Sequence, residues 1–587
     1  MADEAEQAAR VGNTSKLYKI TKKLSGKNQN KSKPIKDKQG NKLTNEKEVS
    51  DRWKEYFNEV LNQEEPDTDI GNLEEQPALD INTNEPSKEE IKKAINAMSK
   101  NKAPGIDEIQ ADLLQVDADL SADALYKLFS KIWEAEEIPE EWQKGMIVRI
   151  PKKGDLSLCD NWRGITLISS PSKVFCKVLL NRIDEFIDDK LRDEQAGFRR
   201  GRGCIDQILA LTNIIEQCAE WNQELHINFI DFKKAFDSIH RPAIWKILKS
   251  YGLPDKIIDM IKLFYENYEC CVICENDMTE FFNVRTGVRQ GCILSPILFL
   301  ITIDWVLRKS FNERRGLRWT DKTDLEDLDF ADDLALLSEI FEHLQIKTTR
   351  LEEFAKMVGL RVNVNKTKSM HLPDTDSNIR IEENPVEKVL DFTYLGSTIS
   401  TVDGTNKDVQ NRLGKARTCF AMLKPIWKSS QLSRKTKLKI YKSNVLSVLL
   451  YGAECWRMTQ ADRDKLEVFQ NKCLRQIHRI FWPTTISNQN LHQISNVTTI
   501  DLLLERRRLK LLGHVFRMDN DRIPKRAIEW QPRNGRRNRG RPKITWKSTI
   551  RKDLEKKNLT WNRARDLAQD RQGWRTLLRP LDPTVDT

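Results

Sequence analysis

The stretch LEDLDFADDLALLS, residues 325–338, sets Asp332 and Asp333 between two apolar runs, as the tip of a β-hairpin would. Adjacent carboxylates at such a tip repel one another, and burial raises the cost. An Asp-Asp pair is also a plain turn signal, so the stretch needs its neighbours to be read. Upstream, NFIDFKKAFD (residues 228–237) places Asp231 directly behind another apolar strand, with a helix-like start after it. A cluster of this kind calls for a cation. Mg²⁺ is a hard ion held by one or two carboxylates together with substrate phosphates. Two such ions serve phosphoryl or nucleotidyl transfer, one acidifying the attacking hydroxyl and one steadying the leaving group.

Around these acids short strand patterns (MIVRI, INFID, ALLS) alternate with helical ones (SKVFCKVLLNRIDEFI, PAIWKILKSYG, FLITIDWVLRK). Seven blocks follow one another in order: NWRGITLISSPSKVFCKVLLNRI, DEQAGFRRGRGCIDQI, FIDFKKAFD, GVRQGCILSPILF, FADDLALL, GLRVNVNKTK and YLGSTIS. From about Lys144 to Ile399 this set resembles the reverse-transcriptase domain of non-LTR (LINE-type) retrotransposons. The resemblance implies an α+β fold, a right-hand polymerase of fingers, palm and thumb, with a mostly helical, basic C-terminal extension. It implies catalysis and metal binding by Asp231, Asp332 and Asp333, with two Mg²⁺ ions or Mn²⁺ in their place. Phe330 opens the FADD block where an aromatic of another kind is commoner.

Phe236 stands five residues after Asp231; in the reverse transcriptases that these blocks resemble, a bulky ring at this position would collide with a ribose 2′-hydroxyl and so select deoxynucleotides. Core packing explains the same residue, and both roles are compatible. RNA polymerases of the RNA-dependent kind usually carry Asp there and Gly before the Asp pair; here Asp237 comes one position later and Ala331 precedes the pair. In GVRQGCILSPILF, Gly291 permits close backbone approach and Gln290 can contact the templating pair or the incoming nucleotide. Arginine forks suit phosphates. Arg163, Arg182, Arg199, Arg200 and Arg202 are the candidates in the fingers, with Arg199 or Arg202 expected at the triphosphate. Lys366 matches the block that supplies a general acid for pyrophosphate, Lys368 being its close competitor. Tyr394, Leu395 and Gly396 resemble the primer grip.

The 587 residues exceed what one core organises. Residues 1–48 read as a disordered basic tail, because Lys, Asn, Ser and Gly dominate and little apolar area is available. A helical N-terminal extension is expected over 49–143, fingers and palm over 144–400, a helical thumb over 401–482, and a basic nucleic-acid-binding region over 483–587. Ser87 and Glu90 form a capping pattern. The net charge of +11 favours a polyanionic partner. Near the C-terminus, Arg539-Gly540-Arg541-Pro542 resembles the AT-hook core, which lies in a narrow minor groove; a generic DNA- or RNA-binding or nuclear-import tract is the competing reading.

The eleven cysteines show no metal-ligand spacing and are expected as reduced thiols. The apolar stretch from Cys292 to Leu307 holds Ser295, Pro296 and Asp304, so it reads as a buried helix rather than a membrane span.

The implied partners are an RNA template, a DNA primer or target, and dNTPs, with no membrane and no stable protein partner; the implied location is the nucleus, with a cytoplasmic RNA-bound phase. Full elements of this class usually carry an endonuclease ahead of the polymerase. The segment preceding the polymerase blocks is too short for one, so a truncated product is expected. An inactive, domesticated nucleic-acid-binding protein and an organellar intron maturase are the rivals, and the tail does not resemble a maturase segment.

Overall fold

The computed structural model describes residues 2–24, 34–274, 277–533, 535–537 and 539–578. Its centre is a five-stranded sheet in the order 387–388, Lys368–Leu372, Leu225–Ile230, Asp333–Ser338, Asp327–Phe330. Every residue of the central strand, LHINFI, is buried, because both sheet faces are covered. Leu225, Ile227 and Phe229 meet Ala210, Leu211 and Ile214 of the Cys204–Trp221 helix in one cluster. On the other face, Asn228 donates to Thr348 Oγ1 (3.0 Å) on the Phe341–Met357 helix. This is the palm.

A second sheet, the fingers, pairs Lys144–Pro151 antiparallel with Trp162–Leu167 and parallel with Glu269–Cys274. The Glu46–Val60 helix lays Trp53, Tyr56 and Phe57 in one cluster with Ile147, Cys270 and Val272 of this sheet. The Lys88–Asn96 helix opens on the expected capping box of Ser87 and Glu90. Arg182 fastens this extension, bonding Glu90 and the carbonyls of Asn82, Asn84 and Glu85. The Ser295–Ser310 helix carries Pro in its first turn and buries nearly its whole surface, as its apolar run predicts. Among the described residues no helix is long and apolar enough to cross a membrane.

After the palm come the helices Thr405–Met422, Arg434–Ile440 and Gln460–His478, whose apolar faces form one cluster that continues through Leu491, Val497 and Leu504. The thumb boundary expected at 482 therefore falls inside one packed unit.

The expectation of a disordered tail over 1–48 also needs correction. Ala2–Arg10 and Thr14–Leu24 are helices, with Ala5, Ala8, Leu17 and Ile20 buried in the thumb cluster. The Glu6 carboxylate accepts from Ser433 and Thr436 at the start of a thumb helix. Composition counted the lysines and missed the apolar positions at helical spacing, whose burial offsets the chain entropy. Residues 25–33 lie outside the described part.

The C-terminal helices Ile500–Phe516, Trp546–Glu555, Trp561–Leu567 and Arg571–Leu577 form a core with Ile208 and Leu209 of the Cys204–Trp221 helix. Trp546 and Trp574 are core residues there.

Candidate active site

The Asp pair sits on the hairpin that joins Asp327–Phe330 to Asp333–Ser338, with Asp333 opposite Phe330. Leu334 pairs with Ile230 on the central strand, so the next step of this antiparallel register sets Asp333 against Asp231. The turn passes through Ala331 at φ +58°, a left-handed conformation that costs energy outside glycine.

Gln195 holds the turn there. Its Oε1 accepts from the Ala331 N–H (2.7 Å) and the Gly197 N–H (2.8 Å), and its Nε2 donates to the Ala331 carbonyl (3.3 Å). A Cβ on Gly197 would stand 2.3 Å from the Ala331 nitrogen, so glycine is required for this approach. The segment is registered by Ala196 N–H to Asp329 O (2.9 Å) and Asp329 N–H to Glu194 O (3.1 Å). In the block DEQAGFRRGRG the arginines are the conspicuous polar residues, but the one that shapes the catalytic turn is Gln195, a glutamine two residues before a glycine.

Burial, and then the neighbouring Asp231, raise the Asp332 carboxyl above its ordinary range. Asp333 is exposed at the hairpin, and the protein crowded around it, Asp332 and Asp231 push its carboxyl up to about 6. Asp231 Oδ2 is buried without a hydrogen-bond partner; the Lys366 ammonium stands 3.5 Å away. These acids fit a divalent ion: they repel one another, and one oxygen is unsatisfied. Among the described residues, no three ligating side chains already enclose such a site. Mg²⁺ bound by one or two carboxylates and completed by phosphate oxygens suits that arrangement.

Asp231, Asp333 and Lys366 line one cleft of about 510 Å³ with Tyr394, Leu395 and Gly396. Leu395 (φ +47°) and Gly396 (φ +85°) make the two-residue turn of the Asp391–Tyr394 and Ser397–Ser400 hairpin, as mirror-image hairpin turns require. Tyr394 donates its hydroxyl to the Leu328 carbonyl (2.8 Å), and Tyr451 of the thumb donates to the Leu395 carbonyl (2.8 Å). Lys366 is 68% exposed at its side chain. Lys368 is committed to Glu387 (2.6 Å) and to the Asn365 carbonyl (2.7 Å). Geometry therefore favours Lys366 over its competitor.

Phe236 lies flat on Phe299, with ring centroids 4.3 Å apart, and meets Phe198 edge-on. Gln290 Nε2 donates to Asp237 Oδ1 (2.8 Å), while the Gln290 carbonyl accepts from the Thr166 N–H (2.7 Å). Gly291 (φ +138°) lies so close to the fingers strand that a Cβ would sit 2.2 Å from the Thr166 carbonyl oxygen. Burial pushes Asp237 up to about 6.

The expectation for Arg199 and Arg202 fails on geometry. Arg199 bonds Asp188 Oδ1 (2.6 Å) and the carbonyls of Asp188, Arg192 and Gln195. Arg202 bonds the carboxylate (2.6 Å) and carbonyl (2.8 Å) of Asp193. Both fasten loops: Arg199 is buried with every guanidinium nitrogen bonded, and Arg202 is half-buried with two nitrogens held by Asp193. Besides Lys366, the cations whose charges reach acids of this region include Arg163 and Lys152. Arg163 is exposed on the Trp162–Leu167 strand, and its charge acts on Asp332 and Asp237. Burial, then Arg163, Lys234 and Lys366, hold the Lys152 ammonium below its ordinary range. Such a crowd of cations beside acids is what a triphosphate would neutralise.

Arg539, Gly540, Arg541 and Pro542 are exposed, with Gly540 at φ +116°. The chain around them is strapped to the Cys204–Trp221 helix. Arg537 Nε donates to Glu220 (2.5 Å), Lys543 N–H to the same carboxylate (3.0 Å), and Trp546 N–H to Glu216 (2.7 Å). Burial pushes Glu216 up to about 7.

The family described as Reverse transcriptase (RNA-dependent DNA polymerase) matches residues 150–399, and a domain of unknown function matches residues 419–451. The chain is 26% identical over 442 residues to the probable RNA-directed DNA polymerase from transposon BS of Drosophila melanogaster, covering 71% of this chain and 47% of that protein. It is 25% identical over 513 residues to the probable RNA-directed DNA polymerase from transposon X-element of the same species, covering 83% and 54%. It is 25% identical over 411 residues to the RNA-directed DNA polymerase from mobile element jockey of Drosophila funebris, covering 67% and 44%. The chain thus spans about half the length of the curated relatives it matches.

Proposed function

We propose, from the premise that this chain belongs to the reverse transcriptases of non-LTR retrotransposons, that it extends a DNA primer 3′-hydroxyl with dNTPs on an RNA template. The observation that carries this reading is the single cleft in which Asp231 and Asp333 face Lys366 and the Tyr394–Gly396 turn. Acids, an exposed ammonium beside them and a primer-supporting turn are the parts that nucleotidyl transfer needs.

Asp231 and Asp332, with Asp333 beside them, would hold two Mg²⁺ ions, or Mn²⁺. Those ions, when bound, acidify the primer hydroxyl and stabilise charge on the pyrophosphate. In the reaction a bond forms between the primer oxygen and the α-phosphorus, and the α–β bridging bond breaks. Arg163 and Lys152 neutralise the triphosphate, and Lys366 gives a proton to the departing pyrophosphate. Phe236, backed by Phe299, closes the space of a 2′-hydroxyl, and Gln290, oriented by Asp237, contacts the incoming nucleotide. Leu395 and Gly396 support the primer end. The exposed Arg539–Pro542 tract adds salt-dependent DNA or RNA binding and serves nuclear import.

Primer extension on an RNA template with dNTPs and Mg²⁺ tests this reading. Wild type should extend, and Asp332→Ala with Asp333→Ala should abolish synthesis while nucleic-acid binding persists. A wild-type chain that binds template–primer but adds no nucleotide would refute the enzyme and leave a binding protein.

A further inference from the structure

The outer face of the Gln460–His478 helix and the segment that follows it enclose a groove of about 460 Å³, lined in part by Asn471, Lys472, Arg475, Phe481, Trp482 and Asn488. Trp482 is 88% exposed and Phe481 61% exposed. Neither ring packs against another aromatic or under a cation among the described residues. Two large adjacent rings held in water are costly and mark a contact surface.

The groove is built rather than loose. Arg475 donates to Asn488 Oδ1 (2.7 Å) and to the Ile486 carbonyl (3.3 Å), which pins the far wall to the helix. Its charge has no carboxylate partner among the described residues. Lys472 is exposed on the same wall and likewise unpaired there. No acid lines the groove, and Glu467, one turn back, is bonded by the Asn471 amide.

We infer that this groove binds an unpaired RNA strand, with a base stacked on Trp482 and its phosphates drawn to Lys472 and Arg475. Aromatic faces beside cations are the chemistry by which proteins hold single strands irrespective of sequence. A paired base has no free face to offer, so duplex is a poor occupant. The choice of RNA over DNA rests on the polymerase reading, in which the template must be single-stranded before it is copied. The stacking chemistry does not rest on it.

The test measures binding of a fluorescent unstructured RNA to the full chain in EDTA, where no synthesis occurs, so its outcome is separate from that of primer extension. Trp482→Ala should weaken binding of the single strand about tenfold and leave that of blunt duplex unchanged. Trp482→Phe should restore most of the affinity. Lys472→Ala should reduce the slope of log affinity against log salt by about 0.7. RNA carrying 4-thiouridine should cross-link to the peptide containing Phe481 and Trp482. Both side chains are exposed, so melting should not change. Unchanged single-strand affinity in Trp482→Ala, or an equal loss for duplex, would overturn the inference. Self-association that disappears in Trp482→Ala while RNA affinity stays constant would assign the groove to a second copy of the chain, and would overturn it too.

Discussion

Phe236 packs on Phe299, and in the proposed function its outer edge is the sugar filter. Phe236→Val keeps an apolar side chain there but opens space, so the ratio of kcat/KM for dNTP over rNTP should fall by about tenfold or more. An unchanged ratio would strip Phe236 of the gate role. Arg163 and Arg199 make a contrasting pair. Arg163→Ala removes an exposed guanidinium from the triphosphate side, which should raise the KM for dNTP about tenfold with no change in Tm. Arg199→Ala leaves the Asp188 carboxylate and three carbonyls, that of Gln195 buried, short of donors, which should lower Tm by several degrees. The opposite pattern would return the triphosphate to Arg199. The hairpin that carries the Asp pair and the strand ahead of Asp231 could be read from the sequence, because apolar runs flanking the acids mark those elements. The arginines could not, because GFRRGRG does not say which guanidinium is claimed by Asp188 or Asp193.

At the scale of elements, the catalytic hairpin depends on a loop distant in sequence. Gln195→Ala would leave the Ala331 and Gly197 N–H groups buried without acceptors, each costing about 1–3 kcal/mol. The strained turn should relax, lowering kcat more than it raises the KM for dNTP; Gln195→Glu, which retains the acceptor, should recover part of the rate. Full activity in Gln195→Ala would mean that the turn holds itself. The strap between the tail and the Cys204–Trp221 helix has its own pH response. Glu216, pushed up to about 7 from an ordinary 4.5, adds stability that is complete below about pH 4.5 and lost as pH rises through 7. Glu216→Gln keeps the acceptor for the Trp546 N–H without the charge. Its Tm should exceed that of wild type at pH 8 and match it at pH 4.5. A variant less stable at pH 8 would show that the charge itself holds the strap. The buried Ser295–Ser310 helix was legible from its apolar run. The helices over residues 2–24 were not, because their apolar stripe is narrow and its partner lies in the thumb, beyond the reach of local pattern.

For the whole molecule, an ion held by the palm acids would make the stability of the fold depend on it. Ligands that bind only the folded chain stabilise it by mass action. Mg²⁺ should therefore raise the Tm of wild type and have little effect on Asp332→Asn with Asp333→Asn; equal shifts in both would place the binding elsewhere.

The core shared by Ile208, Leu209, Trp546 and Trp574 also has a consequence in time. A ribosome adds about 5–20 residues each second. The Cys204–Trp221 helix therefore waits on the order of tens of seconds for the tryptophans that cover it. During that interval the palm can form around its other face while this one stays wet and adhesive. A part of the chain made hundreds of residues later is thus the part that finishes the middle.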